Sequence, residues 1–330
     1  MLEAPAKSGD ASASHRHADQ VTPEQPPLRV WLPWLVGLAA IWGCSFLFIS
    51  VGVRELHPAY VTLGRVSSGA VAVLVLMAFA GHRLPRDLVT WLHLAVPGLL
   101  IAFAFTLFGF GEQRIPSLLA GIWNGTTPLV TLPAAVLLFR TERFSLAKVV
   151  GLALGFSGTL VVLGAWQGLR GSGFTGQMLC FAAASCYGIA IPYQQRYVAP
   201  RVDSDLAVSA GQLLWATAAL AVVAPLVAGA PPAPWDLSPE VLGSVLALGA
   251  IGTGVALAIH ARNIRWVGGS TASYVTYLSP LFAIVVGMVV LGEEPHWYQP
   301  VGGAVILLGV AIAQGKLRLG PKPLPVIAEG

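Results

Sequence analysis

The chain has 330 residues, of which 55% are hydrophobic and 10% charged, and its mean hydropathy is +0.73. A soluble domain carries about a quarter charged residues, so this composition excludes an ordinary soluble fold and puts apolar surface against lipid. The net charge of +4 comes without any Lys/Arg cluster interleaved with aromatics, which argues against a nucleic-acid partner.

Residues 1–30, rich in Ala, Ser, Pro and His, read as a disordered cytoplasmic tail. No signal-peptide pattern precedes the first apolar run. His15 and His17 in the tail read as exposed residues, and no metal or cofactor is expected. A spanning helix needs about 20 mostly apolar residues. Ten stretches qualify, near 32–53, 59–80, 89–110, 116–139, 147–166, 174–194, 206–228, 238–260, 270–291 and 298–315. Residues 316–330 form a second cytoplasmic tail. Cys44, Cys180 and Cys186 all lie in apolar runs and read as small core residues, with no disulfide framework.

Lys and Arg set the orientation. With the N-terminus inside, fifteen fall on inside segments: Lys7, Arg16, Arg29, Arg83, Arg86, Arg140, Arg143, Lys148, Arg196, Arg201, Arg262, Arg265, Lys316, Arg318 and Lys322. The outside loops hold Arg54, Arg114 and Arg170. That asymmetry supports ten spans with both termini cytoplasmic. Arg65 remains, inside the second span.

The chain repeats itself. "GTTPLVTLPAAVLLFRTE" (125–142) falls on "YLSPLFAIVVGMVVLGEE" (277–294) at an offset of 152, bringing Pro128 onto Pro280 and Glu142 onto Glu294. Gly151 falls on Gly303 at the same offset. "AASCYGIA" echoes "AAIWGCSF", putting Tyr187 over Trp42, and Gly211-Gln212 echoes Gly64-Arg65. Each copy holds five spans. Five is odd, so the second copy enters the membrane from the other side, the inverted-repeat arrangement of secondary transporters. The expected fold is an all-α integral membrane protein of ten transmembrane helices, in two inverted five-helix repeats over 31–168 and 169–315.

Two segments carry a family resemblance. "AAIWGCSFLFISVGVRELHPAYVTLGRVSSGAVAVLVLM" and "LGAIGTGVALAIHARNIRWVGGSTASYVTYLSPLFAIVVGMVVLGEEPHWYQPVGGAVILLGV" resemble the opening and closing spans of the EamA family of the drug/metabolite transporter superfamily. The resemblance covers residues 33–315. It implies ten helices and transport of small metabolites, often export of amino acids or related compounds.

In hydrocarbon every backbone group needs a partner, and a proline removes one N–H and frees the carbonyl four residues earlier. Pro128 therefore frees Asn124 and Pro280 frees Thr276, which occupy matching positions, as do Thr127 and Ser279. Each repeat expects a weakened turn beside hydrogen-bonding side chains, suited to lining a cavity. Pro133 has no counterpart and reads as a local bend. Arg65, the one full charge within a span, must face protein or water; Gln212, its counterpart, faces the same interior. Trp42, Ser45, Trp123, Tyr187, Tyr274 and Tyr277 complete the candidate cavity set. Tyr274 and Tyr277, three apart, share a helix face. Trp31, Trp34, Trp235, Trp297 and Tyr298 lie at span ends as interface anchors. Gly151, Gly155, Gly158, Gly302, Gly303 and Gly309 give two helices small faces for close packing, as scaffold or as a homodimer contact. Glu142 and Glu294 read as helix-end caps at opposite membrane faces, Glu142 beside Arg143.

No carboxylate sits in mid-span. If proton coupling operates, Glu112 or His260 must serve, though a His at a span end, like His260, is more often structural or interfacial. No Walker A run, HExxH or Gly-x-Ser-x-Gly motif occurs, so the chain is not expected to be an enzyme. The reading is a secondary transporter of a small organic metabolite in the cytoplasmic membrane. The alternatives are a membrane-embedded enzyme and a receptor-like scaffold.

Overall fold

The computed structural model describes residues 26–115, 117–162, 164–168, 173–291 and 296–313. The N-terminal tail to residue 25, Arg170, Glu293, Glu294 and the tail from residue 314 lie outside the described residues. Among the described residues the secondary structure is helical throughout. In chain order the helices are α1 (Leu28–Gly52), α2 (Pro58–Phe79), α3 (Leu88–Glu112), α4 (Ser117–Asn124), α5 (Thr127–Pro133), α6 (Leu146–Val162) and the short α7 (Ala165–Gly168). They continue with α8 (Phe174–Tyr193), α9 (Asp205–Ala228), α10 (Pro239–Gly249), α11 (Ala256–Val267), α12 (Gly269–Ser273), α13 (Val275–Leu291) and α14 (Tyr298–Ala313). Within the described residues, each apolar stretch picked out in the sequence is mostly helical.

Among the described residues, six rods are long and apolar enough to cross a membrane: Leu28–Ile49, Pro58–Phe79, Leu88–Glu112, Phe174–Val198, Asp205–Ala228 and Pro239–Val267. Thr127–Leu138, Leu146–Val162 and Tyr298–Ala313 are apolar but shorter. Their starts follow capping chemistry. His57, Asp87, Ser204 and Ser238 each accept a backbone N–H of the following first turn, and Pro58 and Pro239 occupy first-turn positions where no N–H is missed. Gly268 ends α11 at φ 78°, a left-handed conformation suited to glycine.

Polarity is arranged inside out. Large side chains such as Phe79 and Leu226 are 88% and 81% exposed, whereas Arg65, Gln212, Thr253 and Asn263 are buried. Lipid covers the first group in place of water, and protein partners must satisfy the second.

The glycine faces expected on two helices pack on each other within the chain. A Cβ on Gly302 would lie 2.5 Å from Val162 N, and one on Gly158 would lie 2.7 Å from Ile306 N. So α6 and α14 meet backbone to backbone. Gly155 makes room for Tyr277, whose ring edge would lie 2.6 Å from an added Cβ.

Two helix breaks differ from expectation. Pro128 was expected inside a continuous helix. Instead α4 stops at Asn124, Gly125 and Thr126 turn, and Pro128 sits in the first turn of α5. The first turn is where a missing N–H does no harm. In the second half the break comes one turn earlier relative to its proline, at Tyr274, leaving Pro280 inside α13. Pro133 lies where α5 passes into a π-helical turn at Ala134–Leu138. Similar π turns follow α8 (Gln194–Val198) and join α10 to α11 (Ala250–Val255), and such turns recur at functional sites.

Two of the five span-end aromatics are not interface anchors: Trp31 is 3% exposed and Tyr298 6%. Trp31 packs in the core with Leu35 and Leu38, and Tyr298 meets Trp166 edge-on. Trp235 and Trp297 are exposed.

Candidate functional site

A cavity of about 110 Å³ lies where α1, α2, α3, α8 and α11 meet the two helix breaks. From α1 come Trp42, Ser45 and Ile49; from α2, Pro58, Val61, Thr62 and Arg65. Helix α3 supplies Ile101, Phe105, Phe108, Gly109 and Glu112. Helix α8 with its π turn supplies Tyr187, Ala190, Ile191 and Gln194. Asn124 and Thr127 flank the α4–α5 break, and Ser273, Val275, Thr276 and Ser279 lie at the α12–α13 break. Leu257 and His260 come from α11.

The structure thus brings together Trp42, Ser45, Arg65, Asn124, Thr127, Tyr187, Thr276 and Ser279 from the expected cavity set, with Glu112 and His260. Four members stand off the wall. Trp123 packs edge-on against Phe181 at 5.6 Å. Gln212 donates from Nε2 to Gln194 Oε1 at 2.7 Å, which places it behind a wall residue. Tyr274 and Tyr277 stack on each other at 5.9 Å, and Tyr277 donates its hydroxyl to Leu152 O at 3.2 Å. These two tyrosines are core, because the glycine gap on α6 draws Tyr277 into the helix seam.

Arg65 is held on two sides. Its Nε donates to Thr253 Oγ1 at 3.0 Å, and its guanidinium carbon lies 3.6 Å from the Phe105 ring centroid. Guanidinium stacks on an aromatic face through the ring quadrupole. Thr253 belongs to the π turn between α10 and α11. That turn's close fit to α2 needs glycine: a Cβ on Gly254 would lie 2.6 Å from Gly69 O.

The rest of the wall mixes aromatic, aliphatic and hydroxyl side chains. Tyr187 meets Phe105 edge-on at 5.9 Å and Phe108 at 6.0 Å. The Trp42 ring lies 5.2 Å from that of His260, which is buried rather than interfacial. Ser45 and Ser279 hydroxyls donate back to Ile41 O and Val275 O.

The cavity lining extends to Val53, Pro58 and Glu112, at the end of the bundle that carries Arg54. Its other end is crossed by polar contacts. Glu142 Oε1 accepts the Ser270 N–H at 2.9 Å, and its Oε2 accepts from Lys148 Nζ at 2.5 Å. Gln195 Oε1 accepts the Gly269 N–H at 3.0 Å. Asp205 holds Arg262 at 3.2 Å and Arg265 at 3.0 Å. Arg265 also donates to Ala199 O and Val202 O. Glu142 is therefore a cap, as expected, but its partners are α12 and Lys148, not Arg143. Sequence pattern alone missed Thr253, Phe105, Gln194 and the whole Asp205 cluster. The basic run at 262–265 was the one visible signal for the latter.

An apolar helical bundle around a central cavity whose described wall carries one arginine, one carboxylate and one imidazole fits a membrane transport protein. The chain belongs to the EamA-like transporter family, whose sequence profile matches residues 29–164 and 174–314, within the drug/metabolite transporter superfamily. It is 27% identical over 305 residues to an uncharacterized inner membrane transporter, YedA, of Escherichia coli K12, covering 89% of this chain and 95% of that one. It is 30% identical over 292 residues to a protein of Streptantibioticus cattleyicolor named a probable terminal-alkyne amino-acid exporter, covering 84% and 92%. A solved crystal structure with 24% identity superposes with a TM-score of 0.71 over 86% of this chain and 98% of that one, which shows the fold.

Proposed function

We propose that this protein is a secondary transporter that moves a small organic metabolite, an amino acid or related compound, out across the cytoplasmic membrane by alternating access. The observation that carries the reading is that matched positions of the two halves face one cavity. Trp42 and Tyr187 are one such pair, Asn124 and Thr276 another, Thr127 and Ser279 a third.

Ten spans in two inverted repeats are part of the proposal. The helix neighbours support it. The counterparts α2 and α9 pack together, as do α6 and α14. The contact of α3 with α8 is mirrored by that of α1 with α10 and α11, and the contact of α1 with α13 by that of α8 with α5. Exchanging the halves leaves this pattern unchanged, as a pseudo-two-fold axis requires. The Lys/Arg asymmetry assigns the end closed by Glu142 and Asp205 to the cytoplasm, with both termini there. The cavity then faces outward in this conformation. The amino-acid class draws on the named activity of the Streptantibioticus relative. If protons drive the cycle, Glu112 and His260 are the titratable carriers on the wall.

Proteoliposomes of the purified chain, assayed with amino acids, nucleosides, sugars and drugs, test the function. At least one solute is expected to accumulate against an empty-vesicle control, with its flux reduced by Arg65→Ala and Asn124→Ala. Fluxes unchanged by both substitutions would remove the site. A C-terminal reporter active on the outer face would remove the inverted repeat.

A further inference from the structure

Arg65 is the only Lys or Arg on the cavity wall among the described residues, which makes it the obvious seat for a substrate anion. It is already engaged, by Thr253 on one side and the Phe105 ring on the other. Three other groups on the wall have hydrogen-bonding capacity left over. His260 is 7% exposed, and its Nδ1 has no partner among the described residues. Thr127 is 1% exposed, and its Oγ1 has none either. The third is the first turn of α13, which opens onto the cavity at Val275 and Thr276 directly after the break, the Tyr277 N–H of that turn being already bonded to Tyr274 O at 3.0 Å. The leading N–H groups of a helix lack intrahelical acceptors, and the helix dipole leaves that end partly positive. Helix α13 is 17 residues long, so its dipole is developed.

These groups belong to residues of α11, α5 and α13 that line a single cavity. The helix end offers only donors; the hydroxyl and the imidazole Nδ1 can each donate. A buried donor without a partner is unfavourable, and native proteins retain one where a ligand or water completes it. What completes a cluster of donors at a helix N-terminus is an anion. The charge on the wall limits which anion. Arg65 is offset by Glu112, the one carboxylate among the lining residues, so with a neutral imidazole the wall has no net charge. That suits a carboxylate, alone or in a zwitterion, better than a phosphate dianion.

We propose that His260 Nδ1, Thr127 Oγ1 and the first turn of α13 seat the carboxylate of the substrate, with Arg65 acting through its field and not by contact. This rests on the transporter reading above. It makes the α12–α13 break the specificity-determining element.

The test uses the full chain in lipid nanodiscs. The probes are the common L-amino acids, each compared with its own α-carboxamide, and binding is read by thermal shift and by competition. At least one free acid is expected to bind the wild type about tenfold or more tightly than its amide. Thr127→Val, which keeps the side-chain shape, and His260→Leu are each expected to erase that preference. His260→Asn, which returns a donor near the Nδ1 position, is expected to restore part of it. Melting without ligand identifies any variant that has not folded, and the remaining variant then decides. Equal binding of acids and amides, or a preference that survives in the folded variants, overturns the proposal. Flux in wild-type proteoliposomes separates the two levels. Transport without carboxylate preference defeats only this inference, whereas no transport of any solute defeats the reading beneath it.

Discussion

Removing the Glu142 side chain tests how the end proposed to face the cytoplasm is held shut. Glu142 joins the loop after α5 to the start of α12 through Ser270 N–H at 2.9 Å, and it pairs with Lys148. Its side chain is 7% exposed and that of Lys148 26%, so the pair is only partly screened. A hydrogen bond to a charged group contributes about 1.5–3 kcal/mol, and the ion pair with this partly exposed lysine about 1 kcal/mol or less. If the Ser270 contact forms only in the closed state, Glu142→Ala shifts the equilibrium toward a cytoplasm-open state by about 10- to 100-fold. Lys148→Met shifts it by less than about 5-fold. Glu142→Gln keeps an acceptor for Ser270 and falls between. The assay is modification of a cysteine placed at Asn263, which is fully buried at that end, in a background without Cys44, Cys180 and Cys186. Inside-out vesicles and a membrane-impermeant maleimide report cytoplasmic access. Labelling that does not rise in Glu142→Ala, or that rises as much in Lys148→Met, would refute the reasoning.

Three further outcomes follow from the geometry. Gly302→Leu places a Cβ 2.5 Å from Val162 N in the α6–α14 seam; it is expected to destabilise by about 1–3 kcal/mol or more. Gly37→Ala, whose Cβ meets nothing within 4 Å, is its control, and thermal unfolding in detergent distinguishes them. Arg65→Lys keeps the charge but loses the planar stack on Phe105 and the Nε bond to Thr253. Because the positive field is kept, it is expected to retain more flux than Arg65→Ala, and a lysine variant as impaired as the alanine one would show that the stack and the Nε bond matter more than charge. Asp87 caps α3 by accepting the Thr90 N–H, and this bond holds its carboxyl below the ordinary value of 3.8. A lowered folded-state pKa stabilises above the unfolded value and loses that contribution as the pH falls through the folded one. Helix content followed by circular dichroism should therefore decline less steeply below 3.8 in Asp87→Asn, which caps without titrating; identical acid profiles would count against the cap.

Much of this site was legible because a membrane span makes polar residues conspicuous. Arg65, Asn124, Thr127, Thr276 and Ser279 stand out from apolar runs, and the 152-residue offset pairs most of them. The aromatics were less legible. Trp42 and Tyr187 face the cavity, but Tyr274 and Tyr277 have the same character and the same helical spacing and do not. What separates them is the gap left by Gly155 on a different helix, which spacing along one helix does not report.

The sequence by itself determined that the chain lives in lipid, that its apolar stretches are helices, that it is written twice, and which end of each helix meets positive loops. Those properties follow from solvent transfer, helix period and charge, which act residue by residue. Only the tertiary structure decided that Arg65 is held by Thr253 and Phe105, that Pro128 begins a helix instead of bending one, and that Glu142 reaches Ser270 across the two halves. Each of those depends on contacts between residues far apart in the chain, such as the 128 positions between Glu142 and Ser270, and such contacts exist only once the helices have packed.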